Sequence, residues 1–157
     1  MRGNKSLNRA TIQPDQKYKN INLAKLINKI MMDGKKQTAQ KLVYDAMEEI
    51  EKKTKIEPIM VFEQAIKNVS PQLEVRSKRI GGATYQVPME VRADRKIALA
   101  MRWIINAARA RQGKPYSTFL AEELIDSYNE TGSAIKKKEE MHKMAEANKA
   151  FVHFARF

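Results

Sequence analysis

The chain contains no cysteine among its 157 residues. A disulfide framework, a cysteine-ligated zinc or iron–sulfur site and thiol catalysis are therefore excluded, and the composition fits a reducing compartment. Long apolar runs are also missing, because no stretch approaches the roughly 18 residues of a membrane span. The first residues lack the apolar segment of a secretory signal, so we expect no exported or membrane-anchored protein.

Signals for catalysis and cofactor binding are equally scarce. The sequence has neither a phosphate-loop pattern nor a Gly-x-Gly-x-x-Gly motif, and its two histidines, His142 and His153, are not spaced to share a metal on one helix. The acidic pairs at 122–123 and 139–140 are adjacent residues, which do not face one another on a helix. We therefore expect no enzyme, no metal site and no cofactor.

Positive charge, by contrast, is abundant. Thirty lysines and arginines stand against 18 acidic residues, which gives a net charge of +12. This excess leaves nucleic acid, an anionic membrane and an acidic protein open as partners. Eight of the ten arginines lie at or after Arg76, and arginine offers a planar fork that matches phosphate and stacks on bases. Residues 1–20 are predicted to be a basic, extended arm.

Apolar residues recur at helical spacing along most of the chain. Pro58 suits a first helical turn, and Gly132 is predicted to end one helix, with Ser133 capping the next. The expected fold is mainly α: one domain, 1–157, in which a bundle-like body of six helices carries one protruding β-hairpin ribbon between helices 3 and 4, with a tail at 151–157. The predicted helices are residues 22–33 and 36–53, a third that starts at Pro58 and ends before Pro71, and residues 92–111, 117–130 and 134–150.

The ribbon is predicted over residues 73–91, where two β-prone runs flank Gly81 and Gly82. A two-residue loop would set Val75 opposite Pro88 and turn the apolar side chains of the two strands to opposite faces. One extra loop or bulge residue would align them on one face, and a slip of one residue reverses a strand's faces. We favour the three-residue loop or bulge. Three cations before the turn, Arg76, Lys78 and Arg79, indicate a finger that contacts nucleic acid.

Helix 4 carries Arg95, Arg102 and Arg109 at intervals of seven, which places them in one row beside an apolar stripe. The alternative is a solvated face with ion pairs. Residues 71–111 hold nine basic groups against three acidic ones, so few local acids are expected to pair with the row, and phosphate contact is favoured.

Two further features are weaker indications of nucleic-acid binding. The lysines at 136–138 oppose the dipole at a helix start, which favours an external anion nearby, although charge runs are usually solvated. Tyr85, near the hairpin turn, is a candidate for base stacking, with cross-strand packing as the equal alternative.

Five segments carry a resemblance to a known family. These are residues 13–15 with Tyr18, 32–39, 75–92, 98–103 and 136–151. Over nearly its whole length the chain resembles small-subunit ribosomal protein seven of the bacterial type. The ribbon and the last segment are long and specific.

The resemblance implies a structural protein that binds the 3′ major domain of small-subunit rRNA directly and nucleates assembly of the head. It implies a position beside the exit-site tRNA and near mRNA, neighbouring proteins of the head and platform, and repression of its own operon. The implied location is the cytoplasmic ribosome, with an organellar ribosome left open. An architectural DNA-binding protein and an RNA-processing enzyme are the rival functions.

The candidate RNA-binding residues combine the resemblance with the charge pattern. They are Arg2, Lys5, Arg9, Lys35, Lys36, Arg76, Lys78, Arg79, Tyr85, Arg92, Arg95, Arg102, Arg109, Lys114, Lys136, Lys137, Lys138, His142, Lys143, Lys149 and Arg156.

Overall fold

The structure, a computed structural model, describes residues 11–156, and Arg156 by its backbone alone. Within this range the chain is mainly helical, with one antiparallel two-stranded ribbon between the third and fourth helices, as predicted. The elements are α1 (Ile21–Ile30), α2 (Lys36–Thr54), α3 (Pro58–Val69), β1 (Leu73–Ile80), β2 (Ala83–Glu90), α4 (Ala93–Ala110), α5 (Tyr116–Tyr128), α6 (Gly132–Ala147) and a 3₁₀ segment, Lys149–Arg156.

The body is built around α5, which packs against α2, α3 and α4. Phe62, Met101, Ile104 and Leu120 are essentially inaccessible to solvent at this junction. The two apolar sides of α4 predicted a central helix, and Trp103 is indeed buried together with its apolar stripe. Burial of apolar area is therefore the main contribution to the stability of the body.

The junction between α5 and α6 differs from the prediction. Helix α5 ends at Tyr128, and Gly132 is the first residue of α6 rather than the end of α5. Ser133 does not cap α6; a carboxylate oxygen of Glu123, on α5, accepts the amide hydrogen of Ala134 at 2.8 Å. Gly132 has φ +92°, and a Cβ there would lie 2.9 Å from Cβ of Asp126. This close approach lets a side chain of α5 reach the N-terminus of α6.

The register of the ribbon is that of the shorter loop, so the prediction of a three-residue loop or bulge is wrong. Val75 pairs with Pro88 and Ile80 with Ala83, which leaves Gly81 and Gly82 as the whole loop. Both glycines have positive φ, +57° and +89°, as a two-residue hairpin turn requires. The ribbon buries apolar residues on both faces, because the neighbours Val87 and Pro88 are both buried.

The ribbon packs against the C-terminal part of the chain. Strand β1 contacts α6, and β2 contacts the 3₁₀ segment. Residues 151–156, predicted as a tail, therefore continue the fold over the ribbon. Within residues 11–156 no helix has the length and apolar character needed to cross a membrane.

Candidate nucleic-acid interface

The three cations of the ribbon face two directions. Side chains alternate along a strand, and Arg76 pairs with Val87 and Lys78 with Tyr85, so these four share one face. Arg79 lies on the opposite face. The ribbon therefore offers positive charge to both of its sides.

A buried carboxylate lies at the root of the ribbon. Glu74 is only 4% exposed, and its carboxylate accepts hydrogen bonds from Nε of Arg76 at 2.6 Å and from Nε of Arg95 at 2.7 Å. In the predicted arginine row, Arg95 pairs with Glu74, one of the three local acids. Both arginine side chains nevertheless stay about half exposed, at 50% and 44%.

The two arginines also set the protonation of this carboxylate. Burial alone raises the pKa of Glu74, but hydrogen bonds and charge from Arg95 and Arg76 outweigh burial and lower the pKa below its usual value. Glu74 is therefore ionised at neutral pH and holds one negative charge between two positive ones.

The rest of the arginine row borders a cleft between α4 and α1. Arg102 and Arg109, both exposed, line a cavity of ≈ 190 Å³ together with Lys29 and Asn106. Arg109 donates from Nη2 to the carbonyl oxygen of Ile30 at 3.1 Å. Three cations thus surround one opening of a size that admits a phosphate group.

On α6, two of the predicted residues form hydrogen bonds within the protein, and two others are exposed to solvent. Lys138 donates to the carbonyl oxygen of Asn68 at 2.7 Å, and Nε2 of His142 accepts the amide hydrogen of Gln72 at 3.1 Å. Lys136 and Lys143 are exposed. Lys136 is the fifth residue of α6, so it lies beyond the first turn, where the helix dipole acts most strongly.

His142 is neutral at physiological pH. Partial burial lowers the pKa of its imidazole, and the nearby charge of Lys138 lowers it further. The neutral ring has a free lone pair at Nε2, which is what the Gln72 amide requires.

Tyr85 packs against the C-terminal aromatic residues. Its ring centroid lies 4.9 Å from that of Phe154 and 5.4 Å from that of Phe151. Its neighbour across the strand, Lys78, donates to the carbonyl oxygens of Phe154 and Ala155. Tyr85 thus packs against the 3₁₀ segment rather than across the strands against β1, and its stacking on a base stays a prediction.

Arg111 was not among the predicted residues, and it forms the largest ionic cluster in the described part of the chain. Its guanidinium contacts Glu123 at 2.5 Å, Asp126 at 3.0 Å and Glu122 at 3.2 Å. Lys114, a predicted binding residue, bonds Glu122 at 2.7 Å. The spacing of acids at 122, 123 and 126 on α5 was the signal that could have indicated a cationic partner.

The remaining candidates differ in whether they form ion pairs and in whether the structure describes their side chains. Lys137 forms an ion pair with Glu140 within α6, and Lys149 at the start of the 3₁₀ segment forms one with Glu146 of α6. Arg2, Lys5 and Arg9 lie outside the described residues, as does the side chain of Arg156. The candidates that are exposed and form no ion pair within residues 11–156 are Lys35, Lys36, Arg79, Arg92, Arg102, Arg109, Lys136 and Lys143.

Groups that could perform chemistry are not assembled in the described part of the chain. No three histidines or acids among residues 11–156 are arranged to hold a metal ion. What the surface offers is cations from the α1–α2 loop, the ribbon, α4 and α6, suited to holding a polyanion in place.

Comparison with known proteins gives one consistent result. Residues 1–149 match the family model described as ribosomal protein S7p/S5e. The chain is 59% identical over 143 residues to small ribosomal subunit protein uS7 of Thermotoga petrophila, covering 91% of this chain and 92% of that protein. It is 57% identical, with the same coverage, to the proteins of that name from Thermotoga maritima and Dictyoglomus thermophilum.

Proposed function

Because the chain belongs to the ribosomal protein S7p/S5e family, we propose that it binds the 3′ major domain of small-subunit rRNA directly and nucleates assembly of the head. Its role in the ribosome is structural, and it is not an enzyme. We further propose that it acts as one domain over residues 1–157, in the cytoplasmic ribosome, beside other proteins of the head and platform.

One observation carries this proposal: exposed cations that form no ion pair within the described residues occur on several separate elements. Arg79 lies on the ribbon, Arg102 on α4, and Lys136 and Lys143 on α6. Cations on separate elements of a packed body can neutralise phosphates of several RNA helices and fix those helices relative to one another. Such contacts position an RNA without reading its sequence.

The test is a competition assay with the full-length protein. The probe is a 3′ major-domain rRNA fragment, and the competitors are an unrelated structured RNA and duplex DNA, at two salt concentrations. We expect the fragment to remain preferred at the higher salt, with log K falling by about 0.7–0.9 per phosphate neutralised for each unit of log salt. Equal competition by all three would instead favour the architectural DNA-binding function.

A pair of variants locates the interface. Arg102→Ala removes a cation from the cleft between α1 and α4 and should weaken binding to the fragment. Lys52→Ala is the matched control, because Lys52 is also an exposed cation, on α2 near Glu48 and Glu49. Equal losses for both variants would show that only net charge matters.

We propose that the ribbon lies near the exit-site tRNA and mRNA. Because the chain has no cysteine, Thr84→Cys places a unique thiol for a photo-crosslinker near the exposed tip. Asp45→Cys on α2 is the control. Crosslinks to tRNA or mRNA in assembled subunits are expected only from position 84, and their absence there would contradict this placement.

Repression of its own operon is proposed on the same chemistry, because a folded message can present phosphates to the same cations. The competition assay tests this directly when the operon message is the competitor. We expect the message to displace the rRNA fragment better than an unrelated RNA of equal length does. Equal displacement would remove this part of the proposal.

A further inference from the structure

The root of the ribbon contains an arrangement that net charge alone does not explain. Glu74 on β1 is the only acidic side chain among residues 11–156 that is bonded to two of the predicted RNA-binding arginines, Arg76 on β1 and Arg95 on α4. It is almost completely buried, at 4% exposure. A buried acid beside a surface proposed to bind a polyanion requires a reason.

The geometry leaves the arginines available. Arg95 contacts Glu74 through Nε, and its side chain is 44% exposed. Arg76 is 50% exposed. A guanidinium has five N–H donors, so each arginine can bond the buried carboxylate from within and still present donors to solvent. The trio keeps a net charge of +1.

Fixing the two side chains in advance matters for binding. A free arginine loses rotamer freedom when it is immobilised by a ligand, and this loss reduces affinity. Here the shared carboxylate already restricts both side chains in the unbound protein. It also links an arginine of the ribbon to one of the body, so their relative position is set before RNA arrives.

We propose that Glu74 is a positioning residue, which holds Arg76 and Arg95 side by side so that both contact one segment of RNA backbone at the junction of the ribbon and α4. The inference rests on the proposed rRNA-binding function and deepens it. The alternative role for Glu74 is to neutralise part of the positive charge of Arg76 and Arg95. In that case, removal of its charge would strengthen the binding of RNA.

The two roles therefore predict opposite changes in RNA affinity for Glu74→Gln: positioning predicts a loss and neutralisation a gain. The matched control is Glu90→Gln, because Glu90 is an exposed acid at the same end of the ribbon, paired with Leu73 in the register. Both variants raise the net charge by one. We expect Glu74→Gln to weaken binding of the 3′ major-domain fragment by about tenfold, because two side chains must then be ordered on binding. Glu90→Gln is expected to leave binding unchanged or slightly tighter.

The same change made in a variant that lacks both arginines distinguishes positioning from a general effect of Glu74→Gln on the fold. In the Arg76→Gln/Arg95→Gln double variant, the further change Glu74→Gln is expected to have no effect on affinity, because the groups through which it acts are gone. The salt dependence gives an independent readout. Glu74→Gln alone is expected to leave the slope of log K against log salt unchanged, because both arginines still reach the RNA backbone after they are ordered.

Two results would overturn the inference. One is an affinity for Glu74→Gln equal to or above that of Glu90→Gln; the other is a tenfold loss that persists in the double variant. Either result, with a wild-type protein that still prefers the rRNA fragment, leaves the proposed function intact. A wild-type protein without that preference would overturn the proposed function, and this inference with it.

Discussion

The helical body and the ribbon are stabilised by different kinds of contact. In the body, α2 to α5 bury large apolar side chains such as Phe62 and Ile104 completely. The ribbon buries Val87 and Pro88 and packs Tyr85 against two aromatic rings of the 3₁₀ segment, but several further contacts of the ribbon and of the residue before it are directional. They include the bonds of Glu74 to Arg95, of Gln72 to His142, and of Lys78 to backbone carbonyls of the 3₁₀ segment.

The contacts of the ribbon depend on pH and salt more strongly than those of the body. Burial of apolar area is non-directional and involves no titrating group or ion pair. Exposed and half-exposed ion pairs are screened by salt, and a histidine acceptor is lost on protonation. The body should therefore behave as a constant platform, while the position of the ribbon responds to its surroundings.

The largest effect is expected from the core of the body. Phe62→Ala creates a cavity where α3 packs in the core and should lower the free energy of unfolding by about 3–5 kcal/mol. Met60→Ala on the same helix is the control, because Met60 is 58% exposed and its loss should change stability by less than about 0.5 kcal/mol. Urea unfolding measures both, and similar values would mean that α3 does not carry the core.

The next effect is expected at the ionic cluster between α5 and the end of α4. Arg111→Ala leaves the completely buried Glu123 without its cation. The expected loss is about 2–3 kcal/mol, below the ~3–5 kcal/mol for a fully buried pair, because the Arg111 side chain is 27% exposed. Lys114→Ala removes only an outer contact to Glu122, and a loss of the same size there in thermal unfolding would contradict the special role of Glu123.

A smaller and local effect is expected where the ribbon meets the 3₁₀ segment. Tyr85→Ala removes two aromatic contacts worth about 1 kcal/mol each. Because these contacts hold the ribbon rather than the body, we expect faster hydrogen exchange in β2 and residues 149–156, with little change in α2 to α5. Thr84→Ala, the exposed neighbour, serves as the control. Faster exchange throughout the protein would erase the distinction between the two regions.

The smallest effect is expected from pH. In the folded chain the pKa of His142 is lowered, by burial and then by Lys138, whereas in the unfolded chain it is near ~6.5. The unfolded state therefore binds the proton more readily, and stability is lost as the pH falls from ~6.5 through the folded pKa. His142→Gln keeps an acceptor but no titration, so it should remove this dependence. His153→Gln should leave it in place, and a flat profile in wild type would be inconsistent with a neutral His142.

Most of the fold could be predicted from the sequence because helical periodicity reports the buried stripe directly. The helices and the central position of α4 followed from this pattern, and the ribbon from the β-prone runs that flank Gly81 and Gly82. The ribbon register did not, because the prediction assumed that an exposed hairpin buries one face. Val87 and Pro88 are neighbours and both are buried, so the ribbon uses both faces, and the shorter loop is compatible with packing.

The sequence predicted which cations belong to the candidate site but not the contacts that these cations form. The exposure of Arg79, Arg102 and Lys143 follows from their place beside apolar stripes and on strands. Contacts that join distant parts of the chain carry no local signal, as with Lys78 and the carbonyl of Phe154. Glu74 stands between two apolar residues of a strand, where nothing in the pattern indicates that Arg95, 21 residues later, reaches it.

The packing of the ribbon against α6 and the 3₁₀ segment has a consequence for the nascent chain. A two-stranded hairpin by itself is only marginally stable in water, and here the strands are synthesised well before the segments that hold them. At about 5–20 residues per second, the hairpin waits for seconds without the packing of α6 and the 3₁₀ segment, and exposed strand edges invite pairing with other chains. Newly made protein is therefore most vulnerable to aggregation at its ribbon, and a chaperone that shields nascent chains would protect this hairpin more than any helix.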